Sequence, residues 1–64
     1  MTIRELKKGD YFTIKNLEYP SESQVWIRGE YDRSAKTYSA INFSDMNRER
    51  FFKGTKEVFT DFIF

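Results

Sequence analysis

The residues best suited to chemistry are Trp26, Arg28 and Tyr38, joined further along the chain by Arg48 and Arg50. An aromatic pair flanking a guanidinium can stack unpaired bases, or grip a proline-rich or arginine-containing peptide. Arg48, Arg50, Lys53 and Lys56 form a basic stretch with Phe51 and Phe52 interleaved, a composition able to contact phosphates. Glu49 and Glu57 interrupt that stretch, and acids set between bases cancel much of the field. Trp26 also has a purely structural reading. It covers the open end of a small barrel, or packs beneath the last strand, with Arg28 and Glu30 as solvated neighbours.

Catalytic chemistry has little to work with. The chain has no His and no Cys, which removes the usual base near neutral pH and the commonest activated nucleophile. No Ser sits in a G-x-S-x-G elbow. Asp32, Asp45, Glu49 and Asp61 could pair as acid and base or bind a hard cation. They read more simply as solvated surface acids, because a working pair is defined by separation and environment. Gly9, Gly29 and Gly54 stand alone, so no phosphate-cradling loop is present; Gly9 and Gly54 read as turn residues and Gly29 as a strand bulge or bend. The expectation is a protein that is not an enzyme and holds no metal or cofactor.

The elements that must position these residues centre on Gln24–Phe43. This is the longest strand-favouring run, broken once at Asp32–Lys36, and it reads as a β-hairpin. An odd loop pairs Val25 with Phe43, Ile27 with Ile41 and Gly29 with Ser39, and sets Asp32 against Lys36. One coherent apolar face results. A shift of one residue would exchange the faces and place Ser44 and Asn42 against the core. With the odd loop, Trp26, Arg28, Glu30, Tyr38 and Ala40 share the opposite face, and the predicted core is Phe12, Ile14, Val25, Ile27, Ile41, Phe43, Val58 and Phe62.

Around the hairpin, Met1–Gly9 is a helical turn or an extended lead-in, and Gly9-Asp10 is a turn signal. Tyr11–Glu18 alternates as a first strand. Tyr19–Ser23 is a loop, because Pro20 cannot donate to a ladder. Ser44–Arg50 is polar with Ser44 or Asp45 as a helix cap, which predicts a single helical turn. Arg50–Lys53 and Glu57–Ile63 form a second hairpin about Gly54, its last strand apolar on both faces and so covered on both sides.

With 64 residues the chain makes a single small domain, 1–64, and a core that size is marginal without staples. Seven Phe, four Tyr and one Trp supply the core in their place. About five short strands and almost no helix predict an all-β, small antiparallel SH3-like barrel, closed against exposed edges, with a four- or five-stranded open sheet as the second choice. The net charge of +1 excludes a general electrostatic grip on nucleic acid and leaves only a local patch. No apolar run has the length of a membrane span, and the Cys-free composition suits a reducing cytoplasm.

The order Leu6-Lys7-Lys8-Gly9-Asp10-Tyr11-Phe12, then Val25-Trp26-Ile27-Arg28, then Tyr38-Ser39 and Val58-Phe59, resembles a group of short uncharacterised bacterial proteins associated with phages and mobile elements. The resemblance implies an SH3-like barrel in which Leu6, Gly9, Asp10, Phe12, Val25 and Val58 are turn and core positions, and it implies no activity. Two functions follow as expectations. The first is a small interaction module that binds protein or self-associates as a homodimer through an aromatic face. The alternative is a nucleic-acid-binding barrel with an aromatic-basic surface, using Trp26, Arg28, Tyr38, Arg48 and Arg50.

Overall fold

The computed structural model describes all of residues 1–64. The alternating runs form β1 (Tyr11–Phe12), β2 (Trp26–Asp32), β3 (Thr37–Asn42) and β4 (Glu49–Lys53), joined in one antiparallel four-stranded sheet of order β1-β2-β3-β4. Helix is confined to 3₁₀ turns at Ile3–Glu5 and Glu22–Gln24. The protein is therefore all-β, as the patterning requires. No helix is long and apolar enough to cross a membrane.

The central hairpin keeps the expected register near the core and departs from it near the loop. Ile27 lies opposite Ile41, and the Phe43 N–H donates to the Val25 carbonyl at 2.9 Å. Beyond Arg28 the pairing shifts by one, so Tyr31 faces Tyr38 and Asp32 faces Thr37 rather than Lys36. The shift is a β-bulge at Gly29–Glu30, and it converts the odd register into an even, four-residue loop, Arg33–Lys36. Gly29 lets the two strands approach closely there, since a Cβ at this position would meet the Ser39 hydroxyl, which would have to rotate away. At the tip, the Asp32 carboxylate accepts from the Ser34 and Ala35 N–H groups at 2.9 and 3.3 Å, and Lys36 closes the loop in the left-handed region at φ 57°. Gly9, at φ +94°, is the lead-in turn residue.

The faces are assigned the other way round from the sequence expectation. Ile27, Ile41 and Phe43 are only half-buried. The packed core is Ile3, Leu6, Phe12, Trp26, Ala40, Phe52 and Val58, with Ile14 and Tyr38 partly buried against it. Two coherent faces competed for the interior, and the one carrying the largest side chain, Trp26, won; a buried indole removes more apolar area than any aliphatic residue. Phe12, Val25 and Val58 are fully buried as expected, whereas Phe62 is half-buried.

Asn42 comes inward with Trp26 and is completely buried. Its amide donates to the Ser23 carbonyl at 2.9 Å, and its Oδ1 accepts from the Ser44 N–H, the Ser44 hydroxyl and the Asp45 N–H at 3.0, 2.9 and 3.2 Å. One side chain thus ties the 3₁₀ turn before β2 to the turn after β3. That second turn, over Ser44–Arg48, is not helical, so the helical turn expected there is absent. The predicted strand Tyr11–Glu18 stops at Phe12, apart from a bridge at Thr13, and Glu57–Ile63 contributes bridges at Glu57 and Phe59 in place of a strand. Through them the end of the chain returns to its start. Val58 N–H donates to the Met1 carbonyl at 2.8 Å, and Thr13 and Phe59 exchange N–H···O bonds of 2.9 and 3.0 Å. The segments carrying Ile3, Leu6 and Val58 lie over the inner face of the sheet.

Trp26→Ala is expected to lower stability by about 3–5 kcal/mol, the range for a fully buried large aromatic, and to collapse the melting temperature of so small a domain. Ile27→Ala, half-buried on the other face, should cost about 1 kcal/mol. Thermal denaturation of the two variants checks the order. Asn42→Ala should cost about 1–3 kcal/mol for each buried partner left unpaired, measured in the same way.

Candidate binding site

The five residues singled out from the sequence all sit on the inner face of the sheet or at its rim, in two groups. Trp26, Arg48 and Arg50 come together. The guanidinium of Arg48 lies 5.6 Å and that of Arg50 5.9 Å from the Trp26 ring, which is 4% exposed. The indole is therefore the floor of the site and is not displayed to solvent. Arg28 and Tyr38 form the second group, diagonal across β2 and β3, with the guanidinium 4.4 Å from the Tyr38 ring. Tyr31 extends this group, its ring centroid 4.6 Å from that of Tyr38. Arg28 also donates to the Gly29 carbonyl at 3.0 Å.

The first group opens into a shallow cleft of about 270 Å³. Ile14, Lys15 and Leu17 form one wall, after β1; Ser23 and Gln24 form another, in the 3₁₀ turn; Trp26, Arg48 and Arg50 complete it. Lys15, Arg48 and Arg50 line it with no carboxylate among the lining residues, and none of the three is in an ion pair. The polar side chains beside them are engaged locally: Gln24 accepts from the Ser21 N–H at 2.9 Å, and the Ser23 and Ser21 hydroxyls lie 3.1 Å apart. Chemically the cleft can hold an anion, since guanidinium groups bind carboxylate or phosphate in a bidentate way. It offers no aromatic face for base stacking. Lys15 was missed as a member because it looked like one lysine among many in an alternating strand.

The outer face of the sheet carries a second surface, of which the sequence placed Ile27, Ile41 and Phe43 in the interior. The Tyr11 and Phe43 rings are 5.7 Å apart, Phe43 and Phe64 4.8 Å, and Tyr11 and Phe64 6.2 Å. Ile27 lies opposite Tyr11 and also opposite Ile41, and Phe51 lies opposite Ser39, so Ile27, Ile41 and Phe51 belong to the same face. The Ile63 N–H donates to the Glu18 carbonyl at 2.9 Å, which holds the C-terminal residues near the sheet without covering it. Tyr11, Phe51, Ile63 and Phe64 remain 43%, 58%, 62% and 51% exposed. The Phe51-Phe52 doublet was the available signal, because a strand must turn one of two adjacent residues outward.

Glu30 sits next to these surfaces at the bulge. A hydrogen bond from the Lys8 ammonium, then the charge of Lys8 and more weakly that of Arg28, hold its carboxyl below the usual range against a small opposing effect of burial. No known protein family, curated protein or solved structure gives a significant match to the chain.

A carboxyl held low in the folded state favours folding above its unfolded pKa, and that contribution is lost as the pH falls through its folded value. Glu30→Gln should therefore melt slightly below the native protein at neutral pH. The two melting curves should converge on acidification below the ordinary carboxylate range, as followed by thermal melts at stepped pH.

Proposed function

We propose that the chain is a small, non-enzymatic interaction module that binds protein through the aromatic outer face of its sheet. The observation that carries this reading is the ring cluster of Tyr11, Phe43 and Phe64, with Phe51 and Ile63 also exposed, although the chain has few apolar residues to spare for its core. Exposed apolar patches of this kind mark interaction surfaces, and aromatic residues dominate the energetics of such surfaces. The return of Phe59 to Thr13 is compatible with an SH3-like barrel, the architecture common in small recognition modules. The resemblance carried by Leu6–Phe12 and Val25–Arg28 supports placing the module among phage- and mobile-element-associated proteins, acting in the cytoplasm.

A second reading rests on a separate observation, the uncompensated Lys15, Arg48 and Arg50 of the cleft. It makes the domain a binder of nucleic-acid backbones. The burial of Trp26 and the net charge of +1 weigh against it.

Affinity capture at increasing salt tests the two together. Under the first reading, captured protein stays bound at high salt and is released when Tyr11→Ser and Phe64→Ser are combined. Each lost aromatic anchor should cost about 2 kcal/mol in binding, and the melting temperature should barely move. Nucleic acid retained with a steep salt dependence, and released by Arg48→Ala with Arg50→Ala, would replace the first reading by the second.

A further inference from the structure

We propose that β4 is a self-complementary edge, and that two copies of this chain join through it as a closed antiparallel dimer about a two-fold axis at Phe51. The proposal rests on the interaction-module reading and names the partner as a second copy. Three observations carry it.

The first is that β4 is unpaired on its outer side. It ends the sheet, and outside its pairing with β3 the single backbone bond that reaches Glu49–Lys53 is Lys56 N–H to the Lys53 carbonyl, at 2.9 Å. The Asn42 N–H donates to the Arg48 carbonyl at 3.0 Å, which fixes the alternation along the pair. Arg50 and Phe52 then point their backbone groups at β3, and those of Glu49, Phe51 and Lys53 point away from it. Phe51, at the middle of the strand, is 58% exposed.

The second is the charge pattern. An antiparallel copy centred on Phe51 places Phe51 opposite Phe51, Arg50 opposite Phe52, and Glu49 opposite Lys53 on both sides of the axis. Within one chain neither Glu49 nor Lys53 has an ion-pair partner, since the protein's salt bridge joins Lys8 to Glu30. Their neighbours on β3 are Ile41 and Thr37, which are uncharged. Sliding the copies by two residues in either direction breaks the Glu49–Lys53 matches, so the pattern selects one register. Opposite charges directly across a strand pair stabilise it, and like charges destabilise it.

The third is closure. On the opposite edge Thr13 and Phe59 exchange hydrogen bonds of 2.9 and 3.0 Å, so part of that edge is already occupied within the chain. A self-complementary edge that pairs with its own copy about a two-fold axis is used up by that contact, which gives a dimer and no filament through β4. Phe51 lies on the outer face with Tyr11 and Phe43, so the dimer joins the aromatic faces of both copies into a single surface.

The test is a charge swap read by light scattering after size exclusion, over a range of protein concentration. The native chain is expected to move from 7.7 kDa towards twice that mass as concentration rises. Glu49→Lys and Lys53→Glu each create two like-charge pairs, and each should weaken the dimer by about tenfold or more. The double variant E49K/K53E should restore it, and an equimolar mixture of the two single variants should form a mixed dimer. Both side chains are exposed and outside the core, and the melting temperature of each variant confirms folding. A native chain that stays monomeric, or single variants that dimerise as well as the native chain, would overturn the proposal. Neither result touches the interaction reading itself, which is decided by Tyr11→Ser and Phe64→Ser at positions off β4.

Discussion

Everything in this fold depends on one constraint: a 64-residue chain without Cys or His can fill a single interior, and Trp26 has to be in it. The sheet is too small to be covered on both sides. Ile3, Leu6 and Val58 close over Trp26, Phe12, Ala40 and Phe52, and that uses the covering segments the chain possesses. The outer face is left with a short C-terminal tail against Tyr11 and Phe43. Its exposure is thus a consequence of how the inner face is satisfied, and the same scarcity that makes small domains marginal leaves an aromatic surface uncovered.

Burial of the indole also decides what the basic residues can do. Arg48 and Arg50 lie over the Trp26 ring, where cation–π attraction holds their guanidinium groups. They are consequently ordered around a cleft instead of dispersed in solvent, and Lys15 faces them from the other wall. An Arg beside a buried aromatic is worth more than the same Arg on a neutral protein's surface, because its position is fixed. The local field comes from that arrangement, since the whole chain carries only +1.

The sequence made the elements legible and left the choice of face open. Period-2 alternation located the hairpin and paired Ile27 with Ile41, and a glycine in mid-strand marked position 29 as a bulge or bend, because those features are local. Alternation is symmetric between the two sides of a strand, however, and both sides of β2 and β3 carry apolar residues. Which side packs is settled by total volume and by what covers it, and those are non-local quantities. Asn42 illustrates the difficulty. Against the core it looks like an error of register, and it is acceptable only because Ser23, Ser44 and Asp45, reached through two separate turns, satisfy both ends of its amide. The ends of the first and last strands were overestimated for a related reason. Tyr11–Glu18 alternates well enough for a strand, but beyond Thr13 no neighbouring strand is present to pair with it.

The two edges of the sheet show how far such a chain can go in managing its unpaired backbone. At β1 the C-terminal segment supplies a bridge at Phe59, a contact made cheaply because Val58 is already held in the core beside it. At β4 no segment remains. An edge strand left open needs charge to prevent indiscriminate pairing, and Glu49, Arg50 and Lys53 provide it. Two like charges at the ends of the strand would repel every copy. An acid at one end and a base at the other attract in the register centred on Phe51 and lose that attraction when the copies slide, so in the proposed dimer the charges that protect the edge also select its register.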